Sequence, residues 1–123
     1  MGSFPFAVPA AAPSGAAGGT LSGSYPNPGL SSVDLTVAGQ GIRVAEGAGA
    51  KQGTATLVTG AAVVANASVT ASSRIFLTAQ SLGTVSTPQA VAVTARVPGT
   101  SFTVTSLSAA DTSVIAYEIF EPG

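Results

Sequence analysis

The chain has 123 residues, four basic and five acidic side chains, and a net charge of −1. Charged residues make up 7% of it, against roughly 25% in an ordinary soluble domain, which excludes electrostatic capture of nucleic acid or an anionic membrane as a main activity. Cysteine and histidine are absent, so disulfides, thiol chemistry, Cys-ligated zinc and every nucleophile–histidine triad are excluded as well.

Residues 1–32 form the first element, an extended arm. Five of the eight prolines and six of the fifteen glycines fall there, and the first charged side chain is Asp34. Glycine and proline leave too little side-chain surface to offset the entropy of ordering the backbone, so the arm is expected to order only on another protein surface. Phe4, Phe6, Val8, Leu21, Tyr25 and Leu30 are its apolar anchors. Pro26 and Pro28 fix φ and hold their neighbours extended around Asn27. The opening Met1–Phe6 lacks the basic residue of a signal peptide, and no run approaches the roughly 20 apolar residues of a spanning helix.

Residues 33–52 read as a hairpin and joint, with Val33–Ala38 and Ile42–Glu46 flanking Gly39-Gln40-Gly41. A β domain is expected over 53–123. Its strands are Thr54–Thr59, Ala62–Ala65, Arg74–Gln80, Ala90–Val97, Thr100–Ser106 and Ser113–Glu121. Phe102 and Val104 share one face of their strand, and Val91, Val93, Ala95 and Val97 one face of theirs. Val97-Pro98-Gly99-Thr100 joins these two strands in a tight turn. Leu107–Asp111 has length for one turn only. The fold expected is an all-β, small antiparallel β-sandwich of jelly-roll-like type behind an extended N-terminal arm.

The last strand is apolar on both faces: Ile115, Tyr117 and Ile119 on one, Val114, Ala116 and Phe120 on the other. A strand of that kind needs cover on both sides, so Ile115, Tyr117 and Ile119 are expected at a subunit interface. Arg74 and Arg96 join them there as candidates, paired with Asp111, Glu118 or Glu121 within or between subunits. Those three carboxylates are also the only sequence-near set for acid–base chemistry, and Glu118 and Glu121 point to opposite strand faces. No catalytic residue, metal site or cofactor is expected. Asn66-Ala67-Ser68 fits a glycosylation sequon, a weak three-residue pattern.

Ala17–Leu30 resembles the AGG-D-LSG-YPNP element of tailed-bacteriophage structural proteins. Leu21-Ser22-Gly23-Ser24-Tyr25-Pro26-Asn27-Pro28 matches closely, while Thr20 stands where Asp is usual and Gly29 where Thr is usual. Gly41–Gly47, Ala50–Val58, Val69–Thr78 and Gly99–Ser106 are similar to segments of such proteins, and so is the closing Glu121-Pro122. The resemblance spans about residues 15–123. It implies a homotrimeric virion component without catalytic residues, its partner the major capsid protein or another virion protein. The short chain favours a capsid decoration or head-fibre protein anchored by the arm. The alternative is a tail-fibre tip or minor tail protein that faces the host cell surface and its glycans.

Overall fold

The computed structural model describes residues 15–16, 21–22, 24–25, 29–30 and 32–123. The chain divides into two units, Met1–Ile42 and Arg43–Gly123.

In the first unit, β1 (Gly15–Ala16) pairs antiparallel with β3 (Ser24–Tyr25), and β2 (Leu21–Ser22) with β4 (Gly29–Leu30). Neither Val33–Ala38 nor Ile42–Glu46 is a strand, which corrects the hairpin expected there. A turn does form, with Gly39 at φ +91° and Gln40 N donating to Val37 O at 3.1 Å. The Gln40 side-chain oxygen, however, accepts from Val37 N at 2.9 Å, taking a donor that a ladder would need.

The second unit holds β5 (Gln52–Thr56), β6 (Ala61–Ala65), β7 (Arg74–Ser81), β8 (Val91–Val97), β9 (Ser101–Ser106) and β10 (Val114–Phe120). They make two antiparallel three-stranded sheets, ordered β5-β10-β7 and β6-β9-β8. Only β8 and β9 are consecutive neighbours within a sheet, and every other connection crosses between sheets. The protein is an all-β sandwich with no helix among its described residues.

Alternation along the two central strands fills the space between the sheets. Phe102 and Val104 of β9 meet Ile115, Tyr117 and Ile119 of β10, all buried, with Leu57 and Val69 closing the ends. The Phe102 and Tyr117 rings pack edge to face at 5.0 Å and 79°. Full burial of each such side chain contributes roughly 1.5–3 kcal/mol.

Two backbone features escape the simple pattern. The first is a register shift in β8 between Val93 and Ala95, which leaves Thr94 as the extra residue. Val91 and Val93 therefore pack against the core, but beyond the bulge Arg96 lies opposite Phe102 while Ala95 and Val97 turn outward. The single apolar face expected for Val91, Val93, Ala95 and Val97 breaks at Thr94.

The second is the turn Val58–Ala61, which ends β5 three residues before the expected limit. Thr59 (φ 51°) and Gly60 (φ 81°) both take positive φ, the requirement of a type I′ turn. Threonine is poorly suited to that conformation, which asparagine tolerates better. Thr59→Asn is therefore expected to raise stability by about 0.5–1 kcal/mol, read as a higher urea midpoint with unchanged slope.

Candidate partner-binding surfaces

The outer face of the β5-β10-β7 sheet carries every second residue of its strands: Gln52, Thr54 and Thr56; Val114, Ala116, Glu118 and Phe120; Arg74, Phe76 and Thr78. Phe76 and Phe120 are 61% and 54% exposed, and their rings meet edge to face at 5.4 Å. Glu118 lies opposite Phe76, and Arg74 opposite Phe120. Oriented with its nitrogen as donor, the Gln52 amide bridges Val44 O and Glu118 Oε1 at 3.2 Å each. The outer face of the other sheet is paler, a field of Thr, Ser, Ala and Val in which Thr94 and Thr105 share a 2.8 Å hydroxyl hydrogen bond.

One end of the sandwich is closed around Glu121, just past β10. Its Oε1 accepts from Ser73 Oγ at 2.6 Å and Lys51 Nζ at 2.9 Å, and its Oε2 from Thr70 Oγ1 at 2.8 Å. Lys51 also donates to Ser68 O at 2.7 Å. Asn66 is buried, donating to Ala50 O and accepting from Ser68 N and Oγ. Both its amide oxygen and its amide nitrogen are thus engaged, and the sequon is a turn lock in structural terms.

The Ser73 bond, then Lys51, holds the Glu121 carboxyl down at about 2, against an opposing contribution from burial and with further help from Thr70. A pKa below the ordinary value of 4.5 means that Glu121 stabilises the fold above that pH and loses the effect as pH falls toward 2. Glu121→Gln should therefore lower the urea midpoint at neutral pH and match the wild type at pH near 2. Parallel midpoint curves across that range would contradict the assignment.

At the opposite end, buried Asp111 accepts from Ser106 Oγ at 2.6 Å, from Ser113 Oγ and from Ser113 N at 2.8 Å. The Ser106 and Ser113 hydroxyls hold its carboxyl below the usual carboxylate range. Asp111 and Glu121 are thus each held by three donors, and a carboxyl kept below its ordinary pKa is a weaker base. Beside Tyr117 a cleft of about 350 Å³ opens between Glu46, Gly53, Thr54 and Val64. Gly53 makes room there for the Tyr117 hydroxyl, which would meet a Cβ at 2.5 Å.

Several expected site residues fall elsewhere. Ile115, Tyr117 and Ile119 are buried in the chain's own core and are not a subunit surface. The apolar residues of β10 that remain uncovered are those of its other face, above all Phe120. Arg96 donates to Ser73 O at 3.1 Å, and the only ion pair among the described residues joins Lys51 to Glu121. Arg74 stays on the outer sheet face, as its strand position requires. Leu21 stands in β2 and Tyr25 in β3, while Phe4, Phe6, Val8, Pro26, Asn27 and Pro28 lie outside the described residues. Phe76 is the surface residue that the sequence reading passed over; its alternation with Ile75 and Leu77 was the available signal.

The domain is a small β-sandwich with an exposed aromatic pair on one sheet face. The chain belongs to the family of the K1 capsule-specific polysaccharide lyase, C-terminal domain, whose model matches residues 49–120. It is a phage-related structural protein with an all-β fold. No curated protein and no solved structure matches this chain.

Proposed function

We propose that this chain is a non-catalytic structural module of the phage tail, part of a spike or fibre that faces the bacterial surface. The family match carries the reading: the matched family is named as the C-terminal domain of a lyase directed at a capsule, and a capsule is met by the tail. The match lends weight to the tail alternative and none to capsid decoration. Non-catalytic status is supported by the carboxylates, two of them tied into structural hydrogen bonds from three donors each at opposite ends of the sandwich. The host component in view is a surface polysaccharide, the class of molecule in the family's name.

Immunogold labelling of intact virions with antibody against residues 100–123 tests the placement. Gold at the tail tip is expected; gold spread over the head would restore the decoration reading. Purified chain is expected to leave capsular polysaccharide uncleaved, and the ultraviolet absorbance of an unsaturated lyase product would overturn the non-catalytic assignment.

A further inference from the structure

The cleft beside Tyr117 lies along the open side of the sandwich. β5 and β6 are edge strands of their sheets; Gly53 and Thr54 of the one, Val64 and Ala65 of the other and residues 46–48 line it. The last of these walls is fixed in place. Glu46 is bridged to Gln52, Ala50 N donates to Gly47 O at 3.1 Å, and Asn66 Nδ2 donates to Ala50 O at 2.6 Å. The cleft is therefore formed before any ligand arrives, which removes the cost of ordering it.

Two polar groups in it are unspent. Tyr117 is only 5% exposed, and its hydroxyl reaches over the bare Cα of Gly53. Every fully enclosed side-chain oxygen or nitrogen among the described residues has a hydrogen-bond partner. The Tyr117 hydroxyl has none among them, so it opens into the cleft. Glu46 is the one charged side chain lining the cleft. No cation among the described residues pairs with it, since Lys51 is held by Glu121 and the Ser68 carbonyl.

We propose that this cleft binds a single amine-bearing sugar unit, its ammonium on the Glu46 carboxylate and a ring hydroxyl on the Tyr117 oxygen. The assignment rests on reading the chain as a module that faces a surface polysaccharide. A space of about 350 Å³ is at the small end of ligand sites, which run from roughly 300 to 1,000 Å³, and it suits one sugar ring rather than several. The Tyr117 ring packs on Phe102 in the core, so the cleft offers no aromatic platform to the flat face of a sugar. Recognition falls to the polar groups and selects by charge. A carboxylate only accepts hydrogen bonds and an ammonium only donates them, and such a charged bond is about twice as strong as a neutral one. A uronic acid would bring a second carboxylate beside Glu46 and be repelled.

Titration of the isotope-labelled full chain with methyl glycosides, followed by amide chemical shifts, is the test, with circular dichroism to confirm the fold of each variant. Methyl glucosaminide is expected to shift the amides of residues 46–48 and 53–54 and to bind at least about tenfold tighter than methyl glucoside. Methyl glucuronide should shift none of them. Glu46→Gln should erase the preference for the amine and leave glucoside binding within about twofold, whereas Tyr117→Phe should weaken both ligands alike. Ala48→Trp, which fills the cleft from an exposed position, should abolish binding. Glucuronide bound as tightly as glucosaminide would overturn the charge assignment, and unchanged spectra with all three would overturn the site. Nα-acetyl-lysine amide bound as tightly as the glucosaminide would make this an amine pocket for a protein partner, overturning the sugar assignment. None of these results moves the immunogold label. Gold over the head with the glucosaminide still bound would overturn the tail placement and keep the site.

Discussion

Phe102→Ala is expected to cost about 3–5 kcal/mol, enough to leave a large fraction of the protein unfolded. Phe102 is fully buried on β9, the central strand of its sheet, and packs edge to face on Tyr117 from the central strand of the other sheet. Both neighbours of β9 are hydrogen-bonded to it, so the backbone has little freedom to collapse into the space the ring leaves. A domain of this size has net stability of only about 0.05–0.15 kcal/mol per residue, so the loss approaches the whole. Phe102→Leu keeps most of the volume and should cost about 1–2 kcal/mol. Val63→Thr, on the outer face of the adjacent strand and 72% exposed, should stay within about 0.5 kcal/mol of wild type. Urea unfolding followed by circular dichroism ranks the three, and a Phe102→Ala midpoint equal to that of Val63→Thr would refute this account of the core.

Gly60→Ala is expected to cost about 3 kcal/mol or more, although it adds a single methyl group. Gly60 has φ +81°, and a Cβ there would collide with the carbonyl oxygen of Ser108 and lie 2.9 Å from Ala109 Cα. The residue cannot move aside, because its N donates to Asp111 O at 3.0 Å and its O accepts from Ser106 N at 2.8 Å. Gly99 provides the internal control. It also has positive φ, +70°, but a Cβ there would meet nothing within 4 Å. Gly99→Ala should therefore show only the left-handed backbone cost, about 1 kcal/mol. Equal losses at the two positions would mean that packing at the β5–β6 turn contributes nothing.

Six strands of the sandwich were legible because Val, Ile, Phe and Thr alternate in them, and Pro98-Gly99 marks the turn between β8 and β9. Thr59 reads in sequence as the end of a strand, since threonine favours strands and the I′ signal is asparagine or aspartate before glycine. The bulge at Thr94 left no mark either: a shift in pairing register is a property of two strands, not one. That shift is what brought Arg96 round to the side of Phe102.

The two faces of β10 posed a different problem. Both are apolar, and only the packing of the opposite sheet decides that Ile115, Tyr117 and Ile119 go inward. The surface that stayed open was then set by Phe120 together with Phe76, a neighbour 44 positions away in sequence but in adjoining strands. No single-strand pattern pairs them. The polar locks were equally hidden, since Ser73 and Thr70 reach Glu121 only after the chain has crossed both sheets.

The lock at Glu121 also sets how a pull on the virion part would travel. Lys51 stands just before β5 and Glu121 just after β10, the antiparallel neighbour of β5, so the sandwich's two strand ends are pinned together. Tension arriving along residues 43–50 meets the Gln52 bond to Val44 O and the Asn66 bond to Ala50 O, and at Lys51 it is shared with the Glu121 carboxylate and the Ser68 carbonyl. The β6–β7 loop and the end of β10 thus share the load with the β5–β10 pairing, whose bond from Ile119 N to Lys51 O is 2.7 Å long. Such a module resists a tug as a clasp does, by spreading it over side chains that can re-form their bonds when the tug is released.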